Sequence, residues 1–341
     1  MNTKPTRRDV ARLAGVSTAT VSNVVNRSGK VKEETVLRVQ RAIDRLHYRP
    51  DMVARSLTTG KTMQIGIVLE DVLNPFYGEI VREFENAAGE RDYFVSVCTG
   101  LRKLDGYFDS AVTRGLDGIF VTALPYKFRV EKLYRLVDCG VRVLTSGNVN
   151  VDRSRVSSIE QDYESGMAAA IRHLYRLGHR RIAYLSGLGR SQTFDLRCVA
   201  YRRCAAELRL PDAGSLLVSG EAPYTTNVRD GYNCAARLLR SGKRFTAAVC
   251  GNDLMAIGAI RAFRESGLRV PQDVSVVGFD GIEIGRFCDP PLTTMSLDKE
   301  RFGRKAFELL YRGMACGETA SCTEGLTLLE GGSTAPCPSA P

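Results

Sequence analysis

A chain of 341 residues, 44% hydrophobic and 25% charged, is longer than one small domain and too apolar to be disordered throughout. Its formal charge of +10 points to nucleic acid or another acidic partner, and the excess is local: residues 1–60 carry 12 basic and 5 acidic side chains, a balance of +7, whereas the remaining 281 carry 36 and 33, a balance of +3. No apolar run approaches the roughly 20 residues of a membrane helix, and the opening MNTKPTRRDVARLAG lacks the apolar core of a secretory signal, so no membrane partner and a cytoplasmic location are expected.

The first sixty residues read as short helices. Thr6 with Asp9 three positions on has the form of a capping box, and the helix it opens runs through Val10, Leu13 and Ala14 to stop at Gly15. Ser17 can cap a second helix, Thr18 to Asn26, with Val21, Val24 and Val25 on one face and Thr18, Ala19, Ser22 and Asn23 mostly off it. Two short helices joined by Ala14-Gly15-Val16 form a helix-turn-helix pattern, and the concentrated positive charge makes double-stranded DNA the partner. In that motif the second helix enters the major groove. Thr18, Ala19 and Asn23 are therefore candidate base readers: Asn23 suits an adenine edge, and the methyls of Thr18 and Ala19 suit thymine. Ser17, Thr20 and Ser22 suit phosphates, which fix register without reading sequence. Val36, Val39, Ile43 and Leu46 mark a third helix. Residues 52–57, between Pro50 and Gly60, give less than two turns, too short to be stable without a docking partner.

From Gln64 the pattern changes to short apolar strands alternating with helices. Strands are predicted at Ile65–Leu69, Tyr93–Cys98, Gly118–Ala123, Val141–Ser146, Arg181–Ser186, Ser215–Ser219, Ala247–Cys250, Val274–Phe279 and Leu292–Leu297, with helices between most of them. Repeated strand–helix units imply doubly wound parallel sheets, and nine strands fit two lobes with a ligand cleft better than one sheet. The fold class is thus a small all-α helix-turn-helix domain followed by α/β. The expected division is a DNA-binding head at 1–49, a hinge helix and linker at 50–63, a first lobe from 64–162 with 293–322, a second from 163–292 with 323–332, and a disordered tail at 333–341.

The ten cysteines are scattered, without C-x-x-C pairs or zinc spacing, and read as reduced, mostly buried thiols, with neither metal nor cofactor implied. Gly187-Leu188-Gly189-Arg190-Ser191-Gln192 approaches a dinucleotide fingerprint, but Gln192 stands where the third glycine is needed. No catalytic motif accompanies His47, His173 or His179, and no enzyme is expected.

The runs from Asp9 to Ser22 and from Val24 to Asn26, with Tyr48-Arg49-Pro50 and Ala54-Arg55-Ser56-Leu57, resemble the head and hinge of the LacI/GalR bacterial transcriptional regulators. Asn74-Pro75-Phe76-Tyr77, Gly178-His179, residues 253–258, residues 274–280 and Pro291-Leu292-Thr293-Thr294 are similar to landmarks of that family's periplasmic-binding-protein-like core. The resemblance implies a repressor that binds a palindromic operator as a homodimer and is controlled by a small-molecule effector, a sugar or related metabolite, between the lobes. It adds Thr6, Asn26, Tyr48, Ala54, Arg55 and Leu57 to the DNA-contacting set, with Leu57 wedged into a central base step of the minor groove. It also implies an effector set of Phe76, Tyr77, Thr193, Arg197, Asp253 and Asp280. Both inducer and co-repressor action fit such a device. A ligand-binding protein with a nonspecific nucleic-acid tether, and an enzyme with a regulatory head, are the competing readings.

Overall fold

The computed structural model describes residues 5–25, 29–49, 56, 59–122, 128–147, 150–188, 195–221 and 225–338. Two compact units meet at Met63–Gln64.

The first unit is helical: α1 spans Arg7–Ala14, α2 Thr18–Val25 and α3 Glu33–Leu46. The expected start signals operate. Thr6 donates its backbone N–H and its hydroxyl to the Asp9 carboxylate at 2.9 and 2.6 Å, which holds the Asp9 carboxyl below its ordinary range. Gly15 closes α1 in the left-handed region at φ 63, and its N–H returns to Ala11 and Arg12 carbonyls. Val10, Ala11, Ala14, Val21, Val39, Ala42 and Tyr48 form one buried cluster. Most of the short segment expected between residues 50 and 58 lies outside the described residues.

The second unit contains two six-stranded sheets. Its elements, in chain order, are β1 Gln64–Leu69, α4 Pro75–Gly89, β2 Phe94–Thr99, α5 Leu104–Thr113, β3 Gly118–Val121, α6 Glu131–Asp138, β4 Arg142–Thr145, β5 Ser157–Gln161, α7 Tyr163–Arg176, β6 Ile182–Leu185, α8 Leu196–Glu207, β7 Leu217–Val218, α9 Val228–Arg240, β8 Ala247–Cys250, α10 Asp253–Glu265, β9 Ser275–Asp280, β10 Thr293–Leu297, α11 Lys299–Cys316, β11 Ser321–Glu324 and β12 Leu326–Leu329. The first sheet runs β11-β5-β4-β3-β1-β2, all parallel; the second runs β12-β10-β9-β8-β6-β7, parallel except for β12 against β10. Apolar runs such as Ile65, Ile67, Val68 and Leu69 are buried because helices cover both faces, as a parallel sheet requires.

The lobe boundary differs from the expected one. Strand β10 pairs with β9 in the second sheet, so residues 293–297 belong to the second lobe and the chain crosses at Asp298. It returns through β11 in the first sheet and crosses again at Gly325 into β12. With Asp162 this makes three crossings. They are tied together: the Asp162 N–H donates to Glu324 O at 2.9 Å, and Asp162 and Asp298 cap α7 and α11 through their carboxylates.

The tail is a second correction. Residues 333–335 are not loose: Ser333 is fully buried, donating to Val276 O at 2.6 Å and accepting from the Thr293 N–H at 2.8 Å. Ala335 O meets Nε2 of the buried His179 at 3.0 Å, while Thr334 Oγ1 lies 3.1 Å from His173 Nε2. Buried donors and acceptors on the sheet find their partners here, which small Pro-rich composition alone did not reveal. Burial pushes both histidines below the usual imidazole range. Of the cysteines, four are buried, four half-buried and two exposed, all as free thiols.

Candidate functional site

The head presents its polar face on α2. Val21 is fully buried and anchors the helix to α1 and α3, which turns Thr18, Ala19 and Asn23 outward into solvent. Ser17 accepts from the Thr20 N–H at 3.1 Å and shares a hydrogen at 2.9 Å with the Thr20 hydroxyl, so the first turn of α2 is capped. Arg7 Nη1 reaches the Ser22 hydroxyl at 3.5 Å and draws the start of α1 to this helix. Thr6, Ser17, Thr18, Ala19 and Asn23 are exposed, with Thr20 and Ser22 half-buried. Tyr48 departs from the expected DNA-contacting set, because its side chain is buried in the head's own core. Asn26, Ala54, Arg55 and Leu57 lie outside the described residues.

In the core, polar groups of side chains and backbone gather where parallel strands end. Glu70 follows β1, Ser186 follows β6, Gly251 follows β8 and Asp280 ends β9. The carboxyl edge of an open parallel sheet is where such folds bind ligands. Asn74 accepts from the Phe76 N–H at 3.1 Å to start α4, placing Phe76 and Tyr77 in the first turn. Phe76 is buried and meets Tyr77 edge-on, with centroids 5.4 Å apart. Tyr77 is therefore the half-exposed ring of the pair, and its hydroxyl donates to Glu70 Oε2 at 3.3 Å.

The second lobe contributes Arg197, held on three sides. Nε donates to Asp195 Oδ1 at 3.2 Å, Nη1 to Gly251 O at 2.6 Å, and the guanidinium lies 4.7 Å from the Tyr163 ring centroid. Asp195 caps α8 and accepts from the Tyr184 and Ser186 hydroxyls at 2.8 and 3.0 Å, so this guanidinium's orientation is fixed by buried groups. Burial raises the Tyr77 and Tyr163 hydroxyls well above the phenol range, and the Glu70 charge adds to the effect on Tyr77.

Asp280 has a φ of 115, a strained conformation for a residue with a side chain. Its carboxylate accepts no hydrogen bond from the described residues, and burial, followed by the Asp253 charge, pushes its carboxyl well up despite Arg197 and Lys299. The turn is secured from behind. Lys299 Nζ donates to Asp280 O at 3.0 Å and Gly281 O at 2.7 Å, and pairs with Glu79 of α4 at 3.4 Å.

Asp253 is corrected from the expected effector set. It is fully buried, and its two oxygens accept from the Thr294 hydroxyl at 2.5 Å and the Ile282 N–H at 2.8 Å. It organises the 280–282 turn instead of facing the cleft. The structure thus ties Tyr77, Arg197 and Asp280 to the carboxyl ends of β1, β8 and β9, while Thr193 lies outside the described residues. Glu70, Tyr163, Asp195 and Lys299 were not singled out from sequence. All four follow strands or open helices, a position that could have flagged them. Among the described residues no group of histidine, cysteine or acidic side chains could hold a metal ion.

Comparison with known proteins agrees with this geometry. Residues 6–51 match the lacI family of bacterial regulatory proteins, and residues 171–334 match a periplasmic-binding-protein-like domain. The chain is 35% identical to an HTH-type transcriptional repressor PurR of Mannheimia succiniciproducens, covering 91% of this chain and 92% of that protein. It is 36% identical to one of Vibrio parahaemolyticus, covering 89% and 90%. Among solved structures, the lac repressor dimer bound to operator and the anti-inducer ONPF superposes with a TM-score of 0.80 at 27% identity, covering 98% of this chain and all of that one. The transcriptional regulator CelR in complex with cellobiose gives 0.71 at 28% identity, covering 96% and 99%. An outward polar recognition helix, two sheets with their strand ends gathered at a polar site, and relatives that are regulators and not enzymes lead to one conclusion: this chain belongs to the lacI family of bacterial regulatory proteins.

Proposed function

We propose that the protein is a transcriptional repressor that binds a near-palindromic operator as a homodimer in the cytoplasm, under the control of a small molecule held between its lobes. The observation that carries the reading is the solvent-facing row of Thr18, Ala19 and Asn23 on a capped helix within a head of charge +7. Phosphate contacts from Ser17, Thr20, Ser22 and the surrounding arginines supply salt-dependent affinity, and Asn23 supplies base discrimination. Leu57, by family likeness, wedges into the minor groove at the centre of the site. Tyr77, Arg197 and Asp280 contact the effector, a sugar or related metabolite, and its binding shifts the lobes between two arrangements of unequal DNA affinity.

Exposed apolar side chains support a dimer. Phe94 and Val97 on edge strand β2 and Ile284 and Phe287 beyond β9 are all exposed, Phe287 at 79%. The lac repressor structure that superposes on this chain is itself a dimer on operator.

Selection of binding sites from random duplex by the full chain tests the proposal. One palindromic sequence should emerge, bound roughly 10³-fold or more tighter than random DNA. Asn23→Ala should relax one position in each half-site by about 1–3 kcal/mol. Equal affinity for all duplexes would return the head to a nonspecific tether.

A further inference from the structure

Two acids in the cleft lack the ion-pair partners that its cations give to others among the described residues. Arg197 is paired with Asp195 at 3.2 Å and its Nη1 is occupied by Gly251 O. Lys299 is paired with Glu79 at 3.4 Å and turned toward backbone carbonyls. Two acids remain, one from each lobe. Asp280 is 7% exposed and accepts no hydrogen bond from the described residues. Among the described residues Glu70 receives only the Tyr77 hydroxyl, at 3.3 Å. Lys299, whose Nζ lies 3.0 Å from Asp280 O, pairs with Glu79 of α4, and Tyr77 lies in the first turn of that helix, so both acids lie by the start of α4.

A desolvated carboxylate without donors is costly, and a ligand that binds there has to supply them. A neutral hydroxyl offers one hydrogen and no charge. A protonated amine offers three hydrogens and the compensating charge, and so satisfies acids that approach from two sides. Arg197 Nη2, which no described group accepts from, is left to donate to a ligand oxygen, and the half-exposed Tyr77 ring provides a face for a small ring.

Resting on the proposed effector cleft, we infer that its ligand is a small hydroxylated molecule bearing a protonated amine, with Glu70 and Asp280 as the ammonium's acceptors and Glu70 as the residue that selects it over the neutral parent. Glu70 is a specificity residue and Arg197 a general one, so their variants separate the two claims.

Calorimetric titration of the full chain with D-glucosamine, D-galactosamine and D-mannosamine, each beside glucose, galactose or mannose, provides the test. At least one amine should bind tenfold or more tighter than its parent. Glu70→Gln should bring that pair within about twofold, and Glu70→Asp, which retains the charge, should keep part of the preference. Equal or tighter binding of the parents, a preference that survives Glu70→Gln, or no binding by any of the three amines overturns the inference. Arg197→Ala distinguishes the deeper failure. Neutral-sugar binding that Arg197→Ala abolishes leaves the cleft in place and removes only the amine, whereas binding that persists in Arg197→Ala removes the cleft itself.

Discussion

Asp253 illustrates how a buried group can matter to a site it does not enter. Burial pushes its carboxyl up to about 7, against the opposing hydrogen bonds from Thr294 and the 281–282 backbone. The folded chain therefore holds this proton more tightly than the unfolded chain, so the stability it contributes is complete below its unfolded pKa near 3.8 and is lost as pH rises toward 7. Asp253→Asn removes the titration. The variant's thermal midpoint should fall less than the native protein's between pH 5 and pH 7.5, and identical slopes would mean that the carboxylate is ionised throughout. At this scale the sequence was informative for exposed polar groups on a short amphipathic helix, since Ser17, Thr18, Ala19 and Asn23 all face solvent as periodicity demands. It was less informative for Tyr48 and Asp253, because one Tyr or Asp suits both a core and a binding surface. Only the three-dimensional neighbours, Val10 and Val39 around Tyr48 and Thr294 beside Asp253, decide between them.

Among elements, α9 and α10 make the closest approach in the core. Gly231 and Gly258 face the opposite helix so tightly that a methyl on Gly258 would enter the Val228 carbonyl and crowd the Tyr232 N–H, while one on Gly231 would meet the Met255 backbone. Backbone cannot yield as a side-chain tip can. Gly258→Ala should therefore cost about 1–3 kcal/mol of core stability in urea denaturation, and a neutral result would require the two helices to separate freely. Helices with strong periodic faces were legible in their apolar spacing, as α3 was in Val36, Val39, Ile43 and Leu46. Three strands were not. Ser157–Gln161 and Ser321–Glu324 are polar runs that strand pairing recruits without hydrophobic alternation, and Leu326–Leu329 follows so closely on β11 that only the switch of sheets at Gly325 separates them. The crossing at Asp298 explains why β10 was assigned to the wrong lobe: a crossing leaves no mark on the residues of the strand that precedes it.

For the whole molecule, the proposed dimer makes the sharpest demand. If Phe94 and Phe287 lie in a symmetric interface, charging both as Phe94→Glu and Phe287→Glu should yield a monomer in sedimentation and weaken operator binding by at least tenfold, while the ligand affinity of the cleft stays within about twofold. A double variant that remains dimeric would place the interface elsewhere. The two-unit architecture itself was legible, because charge, helix length and strand pattern all change near Gln64.

The three crossings and the docked segment that follows them also govern how the chain comes into being. Neither lobe is a contiguous stretch: the first sheet is completed only by Ser321–Glu324, the second only by Leu326–Leu329, and the sheet edge near His179 is sealed by Ser333–Ala335. A ribosome delivers the head, a complete helical unit, more than 250 residues before either sheet can close. During synthesis the helical head is thus finished first and the α/β core last, and the two lobes reach completion almost together, within about the length of one hairpin.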